Sequence, residues 1–119
     1  MAAVFWWVAV VGWTGIILVQ TWTPRPWVPP FAPDDVSAHL AGFGVLGVLL
    51  SMALGSIGVR AARAIGPAGA AALVVATVSE VGQYWVPGRG VEMVDWVANV
   101  GGAALGIGLV VWAWGRRLG

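Results

Sequence analysis

The sequence predicts an all-α integral membrane protein, a four-helix bundle, and three observations carry that reading. Hydrophobic residues fill 60% of the 119 positions and charged residues only 9%, where a soluble domain has roughly a quarter charged. Mean hydropathy is +0.88. Four apolar stretches, at about residues 2–22, 36–59, 65–86 and 93–114, each reach the ~20 residues that a helix needs to cross a ~30 Å hydrocarbon layer. The connections between them are too short for a soluble domain, so residues 1–119 read as a single transmembrane domain.

The first stretch begins "MAAVFWWVAV" without Lys or Arg, runs longer than the apolar core of a secretory signal, and ends in "QTWTPRPW", a poor cleavage site. It reads as a retained helix. The loop that follows, "TPRPWVPPFAPDD", holds five of the seven prolines. It is expected to lie extended across the surface, with Trp22, Trp27 and Phe31 at head-group depth. Asp34, Asp35 and Ser37 are placed to cap the second helix at the positive end of its dipole. The short basic loop "RAARAIGP" puts Pro67 in the first turn of the third helix. "VPGRGVE" contains the Pro-Gly pair of a tight turn, so the third and fourth helices form an antiparallel hairpin.

Arg60 and Arg63 lie between the second and third spans, and Arg116 and Arg117 follow the fourth. With four spans these share a side with the amino terminus, and the positive-inside tendency makes both termini cytoplasmic. The opposite side carries Asp34, Asp35, Arg89 and Glu92, with Asp95 just inside the fourth span. Small residues in "GFGVLG", "GPAGAAA" and "GGAALGIG" suit close helix packing in lipid. The tryptophans divide into an inner belt (Trp6, Trp7, Trp112, Trp114) and an outer one (Trp22, Trp27, Trp85, Trp96). There is no cysteine, which excludes disulfides, thiolate metal sites and a Cys nucleophile.

The stretch "SEVGQYWVPGRGVEMVDWVANVGGAALG" raises the functional question, because a chain so poor in charge concentrates polar residues there. Asp35 and His39 are four apart, Glu80 and Gln83 three apart, and Asp95 and Asn99 four apart, so each pair shares a helix face. All three pairs fall at the outer ends of their helices. Glu80 precedes Pro87 by seven residues, about 10 Å at ~1.5 Å per residue, which puts it inside the apolar layer. A bare carboxylate there is costly, so Glu80 is expected to be protonated or paired with His39, Arg89 or Gln83. Taken singly, Asp35 and Asp95 read as first-turn helix residues, and Gln83 and Asn99 as interhelical hydrogen-bonding groups. Together with His39 and Arg89 the set points to a functional rim.

At these residues the chain resembles the VanZ-like family of small bacterial membrane proteins. The resemblance rests on Asp35, His39 and Phe43, then Glu80 and Gln83, the "PGR" turn ending in Arg89, and Asp95, Asn99 and Gly102 in "DWVANVGG". Val36 stands where the family commonly has Lys, and Leu40 where it commonly has an aromatic. The resemblance implies a place in the bacterial plasma membrane and an association with resistance to teicoplanin and related glycopeptides.

Three functions follow from the residues. The leading one is binding of an amphiphile at the outer leaflet: a lipid, a lipid-linked wall precursor or a lipophilic glycopeptide. Arg89 would hold phosphate or carboxylate, with Asp35, His39, Glu80, Gln83, Asp95 and Asn99 around the head group. It requires no cofactor, no metal and no nucleic acid. The second is an intramembrane enzyme on the same class of molecule, with His39 as base oriented by Asp35 or Asp95, Glu80 as acid and Arg89 stabilising developing negative charge; the catalytic candidates are His39, Glu80 and Asp95. In that reading an Asp/His/Glu set also offers ligands to a divalent cation. The third is an accessory subunit with a membrane-protein partner.

Overall fold

The computed structural model describes residues 2–24 and 35–118, with side chains described from residues 2–24 and 36–114. The Pro-rich loop, with Arg25, Trp27, Phe31 and Asp34, lies outside the described residues, as do the side chains of Asp35, Arg116 and Arg117. Four helices follow in order: α1 (Ala2–Thr21), α2 (Asp35–Ser56), α3 (Ala61–Gln83) and α4 (Met93–Leu118). No strand occurs among the described residues. The helices hold 20, 22, 23 and 26 residues, about 30 to 39 Å at ~1.5 Å per residue. All four are long and apolar enough to cross a membrane.

The turns have identifiable chemistry. After α2 the chain closes a Schellman motif: Val59 N–H donates to the Leu54 carbonyl at 3.0 Å and Gly58 N–H to Gly55 at 3.1 Å. Gly58 has φ +92, the left-handed conformation that the motif requires and that glycine adopts without strain. At the other end Pro87-Gly88 forms a type II turn, with φ +78 at Gly88 and Arg89 N–H donating to Val86 at 3.1 Å. This is the tight turn expected from the Pro-Gly pair.

The third helix departs from expectation. It starts at Ala61 with Arg60 as its extended N-cap, so "RAARAIGP" is helical from its second residue rather than a loop, and Pro67 lies inside the helix rather than in its first turn. Arg and Ala are strong helix formers, and membrane helices accommodate an interior proline. At its far end α3 stops at Gln83, three residues short of the expected boundary, and α2 likewise stops at Ser56 rather than at residue 59.

Packing is governed by one stripe per helix. In α2 it runs Phe43, Leu46, Leu50, Ala53; in α3 it runs Ala64, Ala68, Ala72, Ala76; in α4 it includes Ala103, Ile107 and Val110. Spacings of three and four keep each stripe on one helical face. The most extensive interface is between α2 and α4, while α1 packs on α2 and α3. Glycine makes the α2–α4 approach close. A Cβ at Gly102 would meet the Leu40 carbonyl, one at Gly106 the Gly44 carbonyl, and one at Gly47 the Ala103 carbonyl. Backbone thus faces backbone along two helical turns, as small-residue packing in lipid requires.

Helix α1 is mostly exposed on the outside of the bundle. It is tied by specific hydrogen bonds: Trp13 Nε1 donates to the Gly42 carbonyl at 2.8 Å, and Trp22 Nε1 to the Ser79 carbonyl at 3.1 Å. Gln83 Nε2 donates to the Thr21 carbonyl at 3.0 Å. Trp22, assigned from sequence to a head-group belt, therefore also fastens α1 to α3.

Candidate functional site

The core stripes do not stop where the apolar residues stop. In α2 the stripe continues upward from Phe43 to His39; in α3 from Ala76 to Ser79, Glu80 and Gln83; in α4 from Ala103 back to Asn99 and Asp95. All are buried. The candidate site is thus the polar end layer of the bundle's own core, and helical periodicity alone aims its side chains inward. Glu80 is 2% exposed, Gln83 1% and Asn99 0%.

Three helices meet there. His39, Glu80 and Asp95 each offer an atom within 4.8 Å of the others. His39 Nε2 lies 3.6 Å from Asp95 Oδ2. His39 Nδ1 and Asn99 Oδ1 are 2.5 Å apart; the amide oxygen can only accept, so Nδ1 carries the proton. In the neutral ring this leaves the Nε2 lone pair facing Asp95. Asn99 therefore determines which ring nitrogen is free for chemistry.

Glu80 finds a different partner from those expected. The backbone N–H of Glu92, at the foot of α4, donates to Glu80 Oε2 at 3.2 Å. Among the described residues its other oxygen, Oε1, has no hydrogen-bond partner, nor do Gln83 Oε1 and Asn99 Nδ2. Buried polar groups in native proteins are normally satisfied, so these three atoms are the unpaired polar capacity of the end layer among the described residues.

Of the residues assigned to the site from sequence, His39, Glu80, Asp95 and Asn99 converge. Gln83 is buried beside Glu80 on α3, but its amide is engaged with α1. Arg89 is half-buried on the turn between α3 and α4 and makes no side-chain ion pair or hydrogen bond among the described residues. Asp35 begins α2, one turn from His39. Sequence reasoning missed the Glu92 amide and the Thr21 carbonyl, since backbone groups leave no signature in residue identity.

A second feature lies deeper. An apolar cleft of about 490 Å³ opens between α3 and α4, lined among others by Ile65, Leu73, Val100, Ile107 and Trp112. It contains none of the polar cluster. On α4, however, Val100 follows Asp95 by only five residues, about 7.5 Å at ~1.5 Å per residue, so the cleft lies below the polar layer.

Fold and site together define a four-helix, multi-pass membrane protein with a buried polar layer at one end of its bundle. The chain belongs to the VanZ-like family: the VanZ/LLP1 family model matches residues 5–114. No curated protein and no solved structure matches it significantly.

Proposed function

We propose that this VanZ-family protein binds an amphiphile of the cell envelope at the polar end of its bundle, from the outer leaflet of the plasma membrane. The observation that carries the reading is the convergence of His39, Glu80, Asp95 and Asn99, with orphaned polar atoms, at a depth where stability alone favours apolar residues. The cleft between α3 and α4 supports it. At about 490 Å³ it falls in the range of small-molecule sites, ~300–1,000 Å³, and Ile65, Leu73 and Trp112 remain exposed at its mouth. An acyl or prenyl chain would lie there, with its phosphate or carboxylate near Arg89 and its polar groups toward Gln83 and Asn99. A lipid or a lipid-linked wall precursor fits this division, and it is consistent with the glycopeptide-resistance association of the family resemblance.

The test is mass spectrometry of the gently purified protein. Wild type is expected to carry a defined lipid species, and Arg89→Ala to lose most of it. If a folded Arg89→Ala and a folded Glu80→Gln both retain the wild-type lipid profile, the reading fails.

Orientation is tested separately, and the absence of native cysteine makes the experiment clean. Gly90→Cys is expected to react with a membrane-impermeant maleimide on intact cells, and Ile57→Cys, exposed on the turn after α2, only after permeabilisation. The reverse pattern would put the polar layer in the cytoplasmic leaflet.

One observation favours a second reading, an enzyme acting on the same amphiphile. Asn99 anchors the His39 ring through Nδ1, which leaves Nε2 as the nitrogen that would take a substrate proton. Turnover of an envelope lipid by the purified protein, abolished in His39→Ala, would select it.

A further inference from the structure

We propose that His39, Glu80 and Asp95 form the protein ligands of a divalent first-row transition metal, of the zinc class, held in the end layer of the bundle. The inference stands on the geometry of these three residues and does not depend on amphiphile binding.

The distances favour ligands of one ion over partners in a hydrogen bond. His39 Nε2 and Asp95 Oδ2 are 3.6 Å apart, beyond a normal N–H···O separation. Two donors of a tetrahedral ion, each at ~2.1 Å, lie about 3.4 Å apart. The third donor, from Glu80, is within 4.8 Å of both, so a shift of about 1 Å closes the set at ~2.0–2.2 Å from a common centre.

Charge leads to the same place. Two carboxylates share a buried layer, and no Arg or Lys side chain pairs with either among the described residues. Uncompensated carboxylates in an apolar medium are strongly disfavoured, and one dication neutralises two of them. Glu80 Oε1, with no hydrogen-bond partner among the described residues although Glu80 is 98% buried, offers a lone pair.

The surroundings complete the argument. Metal-ligating histidines direct their other ring nitrogen to an acceptor that sets the tautomer, and Asn99 Oδ1 does this for Nδ1. The Glu92 amide holds one oxygen of Glu80, orienting the carboxylate in the same way. An imidazole ligand selects against magnesium and calcium, which take oxygen donors. Three protein ligands leave a coordination position for water or for an anionic oxygen of a bound molecule.

The full chain, purified in detergent and stripped with EDTA, is titrated with cobalt(II) and then zinc. We expect about one cobalt per chain, displaced by zinc and not by magnesium or calcium. Imidazole nitrogen should appear as a cobalt ligand by pulsed electron paramagnetic resonance. Glu80→Gln and Asp95→Asn should each weaken binding by at least about tenfold, the scale on which even outer-sphere partners act. Arg63→Ala, at the opposite end of the bundle, should bind as wild type. Substoichiometric cobalt in a monodisperse, helical wild type, a spectrum without imidazole nitrogen, or wild-type affinity in both folded carboxylate variants overturns the proposal. If the carboxylate variants do not fold, the wild-type stoichiometry and spectrum decide. Lipid measured on the same preparation separates the two readings: lipid retained but no cobalt taken up sinks the metal site alone, and cobalt taken up by a lipid-free preparation sinks amphiphile binding alone.

Discussion

Gly106→Val is expected to destabilise the bundle by at least ~1–3 kcal/mol, the range for overpacking a close interface, and to disconnect the site as well. A Cβ there would press on the Gly44 carbonyl oxygen and lie 3.0 Å from its carbon and 3.1 Å from Val48 N. These are backbone atoms of α2, which no rotamer change can move aside, so the two helices must separate. Gly102 makes the same kind of approach to the Leu40 carbonyl, next to His39. Separation at Gly106 therefore tilts His39 away from Asn99 and Asp95. Unfolding in detergent, followed by circular dichroism, measures the first effect, and cobalt affinity the second. Gly108→Ala is the control, because a Cβ there meets nothing within 4 Å. Equal stability of Gly106→Val and Gly108→Ala would show that the α2–α4 contact is not as close as described.

The second large effect is expected at Asn99. Asn99→Leu keeps the branched shape but removes the acceptor for His39 Nδ1–H. A buried donor left unpaired costs about 1–3 kcal/mol. Loss of the group that fixes the tautomer should lower metal affinity a further ~10–100-fold, as for other outer-sphere partners. Asn99→Asp, which retains an acceptor oxygen, should recover much of that affinity while Asn99→Leu does not. The pair of variants separates positioning from packing: a purely structural Asn99 predicts parallel losses of stability and leaves metal affinity per folded molecule unchanged.

Much of this architecture is written in residue spacing. The four apolar runs, the Pro-Gly turn and the helical pairs Glu80/Gln83 and Asp95/Asn99 needed no tertiary information. The inward direction of Glu80 emerges only with packing: it continues the buried face of Ala64, Ala68, Ala72 and Ala76, but α3 carries Ala on other faces too, so sequence alone does not single that stripe out. What spacing does not contain is register between helices. That His39 meets Asn99 and approaches Asp95 depends on where glycines allow α2 and α4 to touch, and each glycine alone reads as ordinary packing. Arg89 was assigned to the rim from proximity in sequence, yet a turn residue has no periodicity to aim it, and its side chain does not join the cluster among the described residues. The start of α3 was misplaced for a related reason. Arg60 and Arg63 mark where the chain leaves the apolar layer, but a helix continues past that layer wherever local propensity allows.

The distribution of the cluster over α2, α3 and α4 also sets an order of events during biosynthesis. His39 and Glu80 are both translated before Asp95 and Asn99, and chains emerge amino terminus first. The nascent protein thus inserts a histidine and a glutamate into the membrane before their partners exist. Until the last helix arrives, those two groups must be sheltered by water, by the insertion machinery or by protonation. The polar end layer therefore stays incomplete until α4 begins, and a chain truncated before Asp95 would be left with the least lipid-compatible part of its core uncovered.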